Sequence, residues 1–472
     1  MSSAEERLAF GGALGLVGPA QAKTEVFPDD VGAFDAIAET RDRVAYRALL
    51  AFTLVLLVRP QDQIPILDPL HLAEVFGTFG IVSLAVGRLN RGLPVTKITL
   101  ELGAVLAFAG IMLATAPFSI WPGGAISVVT EIFSKVIVAF VLIINTLTTR
   151  ARFERFVNVV VVSCSYVGVR AVLDYGSGLN LVEDGRVQGT GGLFGNPNDM
   201  ALNLVAFLPL AIILVLGRAK PLLRGVLVIG ASAMLAAIVF SKSRGGTLGL
   251  VGMLAVLLFH IRRVRPSVAV AVIALTLVTI PLLPASFTER MSSIIHPEED
   301  PTGSREARKR LLREAWQAYL DYPVLGLGAG QFHNYNPNGR EETWREAHNA
   351  WLQVASELGT GGLLIFGVIV GSGFVAGVQA SRALRRARKD RNRKRRSQEA
   401  ARWIAQREPL ELYAAAVLAS LTGWLIAAMF ASVAYYWTLY LVLSLAIALR
   451  EIALRELART GKAQRTVQAE AA

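Results

Sequence analysis

The chain has one cysteine in 472 residues, Cys164, which excludes an internal disulfide and any CxxC metal or redox motif. Within "VVVVSCSYVG" it reads as a small helix-packing thiol. Histidine is scarce as well: there are five, and His71, His260, His296 and His333 stand without ligand spacing, so no metal site is expected. Charge is low. Asp, Glu, Lys and Arg fill 18% of positions against 53% hydrophobic residues, and mean hydropathy is +0.47, a balance that a soluble chain of this size rarely shows. The alternating ~10-residue segments of a membrane β-barrel are absent. What is present is a series of apolar blocks of about 17 to 25 residues, the length with which a helix crosses ~30 Å of hydrocarbon.

These blocks predict an all-α polytopic membrane protein with twelve transmembrane helices, near 44–59, 70–87, 98–117, 127–147, 156–174, 197–217, 224–240, 245–260, 267–284, 350–376, 410–430 and 433–449. The expected organisation is an arm over 1–43, nine helices over 44–284, a large loop over 285–348, three helices over 349–449 broken by a basic loop at 377–409, and a tail over 450–472. Near the N-terminus "LAFGGALGLVGPAQA" has the apolar core and Ala20-Gln21-Ala22 ending of a signal peptide. Its leader "MSSAEER" carries two glutamates and one arginine, where a signal peptide begins positive, so the arm is expected to stay in the cytoplasm.

Lysine and arginine set the orientation. "GRLNRGLPVTK", "TTRARFERF", "GRAKPLLR", "HIRRVRP" and the run from Ser381 to Glu408, with twelve Lys/Arg against three Asp/Glu, fall in alternate connectors and are assigned to the cytoplasm together with both termini. So basic a run reads as a topology anchor against anionic membrane lipids; no nucleic-acid partner is expected. The opposite connectors, 60–69, 118–126, 175–196, 241–244 and 285–348, then face outward. The last holds eight Lys/Arg and ten Asp/Glu and is too long for a plain turn. In it "SREARKRLLREAWQAYLDYP" predicts a helix started by Ser304 and stopped by Pro323, with Glu306 and Arg310 one turn apart and Leu312, Ala315, Trp316 and Tyr319 on one packing face. "YPVLGLGAGQF" follows as a turn whose glycines would let backbone approach a neighbour, without forming GxGxxG.

Three outer sites attract attention. In "VEDGRVQGTGGLFGNPNDMALNL", Asn196, Pro197, Asn198 and Asp199 read as a well-made helix start, for which Arg186 is not needed. In "SKSRGGTLGL", Lys242 and Arg244 break the positive-inside pattern; a bound anion explains them, and snorkelling to lipid headgroups is the plainer alternative. His348, between Trp344 and Trp351 at helical spacing, starts the helix at 350; an imidazole at a water boundary titrates near neutrality and can relay a proton, or can serve only as a polar anchor. Within predicted helices, Glu101, Glu131 with Lys135 and Arg170 with Asp174 either mark a pathway or hold helices together.

"GGLFGNPNDMALNL", "SKSRGGTLGL", the Trp316 segment leading to "YPVLGLGAGQF", and "AHNAWLQVASELGTGG", in this order, resemble the O-antigen ligase and polymerase family of bacterial inner-membrane proteins, closely over about 180–375 and elsewhere by topology. The resemblance implies a GT-C-like, metal-independent glycosyltransferase without cofactors, acting at the periplasmic face on a glycan donor carried by undecaprenyl diphosphate. The acceptor would be another glycan, for a polymerase of O-antigen or exopolysaccharide, or lipid A core, for a ligase; polymerase is preferred. By the same resemblance Arg244 and Arg186 would hold the diphosphate, His348 would activate the acceptor hydroxyl, and Lys242, Asn196, Asn198 and Arg308 would line the substrate site. The anomeric centre would be inverted. A solute transporter, such as a bicarbonate carrier, and a membrane scaffold are the competing classes; the first draws on the ionisable residues within helices.

Overall fold

The computed structural model describes residues 41–217, 220–262, 270, 284–295, 304–336, 346–392 and 398–470. The arm up to residue 40, nearly all of the predicted helix 267–284, His296 and Trp344 lie outside them. Among the described residues ten helices are long and apolar enough to cross a membrane: Pro65–Leu89, Leu100–Phe118, Pro122–Thr146, Arg150–Gly176, Pro197–Leu216, Pro221–Phe240, Arg244–Ile261, Ala350–Ala387, Leu410–Phe430 and Trp437–Ala458. The protein is an all-α polytopic membrane protein. Of the twelve predicted spans, 44–59 is the helix α1 (Arg43–Val58), whose sixteen residues reach only about 24 Å.

Burial sorts these helices. The helices at 197–216 (α2), 410–430 (α3) and 437–458 (α4) are mostly enclosed, whereas Pro65–Leu89 and Pro221–Phe240 show most of their surface outward. Helices that are apolar all round have no reason to hide a face when lipid is the solvent, so the peripheral ones expose Phe79, Leu222 and Ile229. The first turn of the central helix α2 is thereby placed at the middle of one end of the bundle.

The connectors predicted to face outward meet at that end. Tyr166 donates to Gln63, the Arg59–Asp62 pair lies against Gly191 and Gly192, and the turn at 326–331 lies against Ser119, Gly124 and Val128. Two of the basic connectors are tied to the far end of α4: Lys97 pairs with Glu451 at 2.7 Å and Arg455 donates to the Thr148 carbonyl at 3.0 Å, while Arg450 pairs with Glu101 at 2.6 Å. Glu101 thus joins two helices. Arg170 pairs with Asp174 at 3.5 Å as its spacing predicts, and Asp174 also accepts from Asn180 at 2.8 Å. Lys135 does not turn to Glu131; it meets Glu74 on a neighbouring helix at 2.7 Å, because Glu131 stands in a π-helical stretch, Val128–Phe133, that changes the local side-chain spacing.

The large loop contains two described helices, Ala285–Ile295 (α5) and Ser304–Asp321 (α6). The buried face of α6 is Leu311, Ala315 and Ala318; Trp316, on the expected face, is 51% exposed. The expected stripe is off by about one position because the contact is set by what α6 lies on, the helix that begins at Ala350 (α7, Ala350–Asn392). Glu306 pairs with Lys309 at 2.8 Å.

The glycine turn closes on α7. Gly326, Gly328 and Gly330 all have positive φ, and a Cβ on Gly326 would lie 2.3 Å from the Glu357 carbonyl, so its glycines serve approach to a helix. Gly359 breaks α7 with φ 64° and ψ −166°, which leaves room for the Thr360 amide to donate to the Pro323 carbonyl at 2.8 Å. Glu357, buried, accepts from the amides of Gly330 at 2.8 Å and Phe332 at 3.2 Å. Glu357→Ala strands both donors and is expected to destabilise the protein by about 2–4 kcal/mol, read as a lower melting temperature in detergent; an unchanged melt would show that the turn does not depend on this carboxylate.

Candidate functional site

Arg186 is presented by a minimal hairpin. Leu181–Val182 pairs antiparallel with Arg186–Val187 across a turn in which Asp184 and Gly185 have positive φ. Val187 is buried, and by strand alternation its neighbour Arg186 points the other way. There Arg186 Nε donates to the Ser241 carbonyl at 2.9 Å and its Nη2 to Asn198 Oδ1 at 2.7 Å. Ser243 Oγ donates to the same Asn198 oxygen at 3.0 Å. Asn196 caps α2 by accepting from the Asn198 amide at 2.8 Å, as the helix-start reading predicts. Lys242, with φ 49° and 7% exposed, donates from Nζ to the Asp184 carbonyl at 2.6 Å.

Neither Arg186 nor Lys242 has a carboxylate partner among the described residues. Their neighbours are cations. Burial, with Arg290 and Arg308 nearby, pushes Arg186 down to about 10 despite the opposing pull of Asp184 and Glu183. Lys242 is lowered by burial and by Arg290, with Arg186 adding and Asp184 opposing. Arg290, from α5, pairs with Asp184, and its carbonyl accepts from Arg244 Nε at 3.3 Å. Cations thus crowd one hairpin, and Arg186 and Lys242 have no acid in ion-pair contact among the described residues; a buried positive surplus of this kind is costly unless an anion completes it. Arg308, named from the sequence, lies near enough to act on Arg186, and Arg290 was missed. The pattern "SFTERMSS" held no signal for it, since only the packing of α5 brings it to the hairpin.

His348 and Arg244 adjoin one short segment. Gly245 lies against Phe430, while the His348 amide donates to Ser432 Oγ at 2.9 Å and Asn349 Nδ2 to the Met429 carbonyl at 3.3 Å. His348 does not share a helical face with Trp351. It has φ 49°, outside the helix, because Asn349 caps α7 by accepting from the amides of Trp351 at 2.9 Å and Leu352 at 3.0 Å. The cap fixes where the helix begins, and the left-handed residue stands just before it. Left-handed backbone at a non-glycine residue costs of order 1–3 kcal/mol and persists only where its surroundings hold it.

Beside this segment lies a cavity of about 290 Å³ lined by Trp121, Gln331, Phe332, Glu346, Gln353 and Tyr435, among others. Its carboxylates were not anticipated. Burial raises the Glu346 carboxyl, with a hydrogen bond from Ser432 opposing, and Glu346 lines the cavity. Tyr436 is pushed up to about 12 by burial and by the charges of Glu346, Asp199 and Glu357. Three carboxylates therefore converge on one tyrosine, and Asn198 and Asp199, neighbours on the first turn of α2, join the cation cluster to the acid side. An acid raised in the folded state contributes most to stability below its unfolded value and loses that contribution as pH rises through the folded one. Glu346→Gln should therefore gain melting temperature relative to the parent as pH rises from 4 to 8; a constant difference across that range would show that Glu346 titrates normally.

No curated protein matches the chain. Residues 229–367 match the family model described as O-antigen ligase; the stretch includes Lys242, Arg244, Arg308 and His348 and leaves Arg186 outside. The protein is therefore a polytopic membrane protein in which one stretch, residues 229–367, is similar to the O-antigen ligase family.

Proposed function

We propose that the protein transfers a glycan from an undecaprenyl-diphosphate carrier to an acceptor sugar at the periplasmic face of the bacterial inner membrane, as a polymerase in preference to a ligase. The observation that carries this reading is the pair Arg186 and Lys242, which have no acid partner among the described residues and share a cluster with Arg290 and Arg308. Periplasmic placement rests on the basic connectors, two of which are tied to the far end of α4, whose first turn lies by the site.

The chemistry follows from charge. The acceptor oxygen attacks the anomeric carbon as the bond from that carbon to the diphosphate oxygen breaks, and the electron pair leaves on the phosphate. The Arg186 guanidinium, already fixed by Ser241 and Asn198, stabilises that growing charge without reorganising. His348 takes the proton lost by the acceptor hydroxyl. Attack opposite the leaving group inverts the anomeric centre. The transporter alternative loses its main support, since Glu101, Lys135 and Asp174 are all engaged in pairing.

Surface-glycan analysis of a deletion strain tests the reading. Single repeats in the deletion strain, with long chains restored by the wild-type gene, would establish a polymerase, whereas finished chains retained on the lipid carrier would establish a ligase. Unchanged glycan in the deletion strain would overturn both.

A further inference from the structure

The cavity beside Ser432 is built for something other than an anion. Its upper wall is Trp121, held over Gly124, where a Cβ would lie 2.4 Å from the indole. Its base is Tyr435, whose ring packs 6.0 Å from Phe108, itself 5.7 Å from Phe133 and 5.9 Å from Phe366. Broad rings on two sides suit the C–H faces of a pyranose. Polar groups are left for it. Tyr435 is 4% exposed and lines the cavity with its hydroxyl beside the Glu357 carboxylate. Gln353 uses Oε1 to accept from the Ala434 amide at 3.2 Å, which leaves its Nε2 donors unengaged by the described residues. Glu346 supplies a carboxylate.

No lysine or arginine is among the residues that line the cavity. His333 is the imidazole on its wall, and burial lowers it, which favours the neutral form. We infer that this cavity is the acceptor subsite, and that it takes the ring of a neutral or amino sugar while rejecting sugars that carry a carboxylate or phosphate. A second anion beside Glu346 and Glu357 would meet like charge in a partly dry space, whereas hydroxyls and an ammonium find acceptors. Donor and acceptor are thus sorted by sign: the diphosphate belongs with the arginines on one side of the first turn of α2, and the acceptor with the acids on the other. The inference rests on the transfer reading for the word acceptor, and on the cavity alone for the class of sugar.

Saturation-transfer NMR of the purified full-length protein in nanodiscs, with methyl α-glucopyranoside, glucosamine and glucuronic acid as probes, tests it. The first two should bind and glucuronic acid should not. Trp121→Ala should weaken binding about tenfold, with Trp121→Phe restoring most of it, which separates loss of a ring from loss of fold. Glu346→Gln should weaken glucosamine more than the glucoside. Glucuronic acid bound as well as the glucoside, or binding indifferent to Trp121→Ala, would overturn the inference. A paired assay of glycan transfer distinguishes the two readings: sugar binding of this pattern in a protein that transfers nothing ends the transfer reading and leaves a sugar site, whereas transfer without the pattern ends only the inference about the cavity.

Discussion

Arg186→Ala should reduce glycan transfer by about 10²- to 10³-fold, the scale on which removal of one preorganised charge stabiliser acts, at unchanged protein level in the membrane. The expectation follows from how Arg186 is held. Ser241 and Asn198 fix its Nε and Nη2, so the order needed to meet a diphosphate is present before substrate arrives. Arg186→Lys should recover only part of the rate, because a lysine keeps the charge but cannot reach both the Ser241 carbonyl and Asn198 with the same planar fork. The measurement is transfer from a lipid-linked oligosaccharide in proteoliposomes, with the melting temperature as control. If Arg186→Ala transfers at the parental rate, the cation cluster is not the diphosphate site. A loss of activity that tracks a loss of melting temperature would reduce Arg186 to a brace for the hairpin.

His348→Ala should cost about 10²- to 10⁴-fold in transfer, the range expected of a general base, while binding of the lipid-linked donor is retained. The backbone argues for a role beyond anchoring. A histidine that merely met headgroups would have no need of φ 49° immediately before an Asn349 cap, with its amide held by Ser432. His348→Asn is the informative companion, since asparagine tolerates left-handed backbone and carries no base. Its activity should match that of the alanine variant while its stability exceeds it. Parental activity in His348→Asn would move the proton to another group, with Glu346 the nearest candidate by sequence and cavity.

His348 and the cations beside the hairpin were legible for one shared reason. Lys242 and Arg244 broke the distribution of positive charge, and His348 stood alone at the foot of an apolar run; both are departures from a pattern, and departures survive without coordinates. The start of α2 was legible too, since Asn196 and Pro197 act over one turn of chain. The acid half of the site was not. Glu346 sits in "WREAHN", among charges that look solvated, and it becomes a cavity wall only because Ser432, Tyr435 and Tyr436 arrive from more than eighty residues away. Arg290 is the same case with the hairpin as its partner. Glu357 lies within "AHNAWLQVASELGTGG", but its task, holding the amides of Gly330 and Phe332, needed the fold to be seen.

By itself the sequence determined that this chain lives in a membrane as a bundle of helices, where most of them begin and end, and which connectors share an end, because hydrophobic length and lysine–arginine placement act locally and the bilayer does the sorting. Tertiary structure alone decided which charges meet. Hydrocarbon cannot tell one apolar helix face from another, so the order in which α2, α3, α4 and α7 pack is set by close contacts between small and aromatic side chains far apart in the chain. That packing decided that Arg186 and Lys242 would share a cluster with Arg290 and Arg308, and that Glu346 would look into a cavity walled by Trp121 and Tyr435.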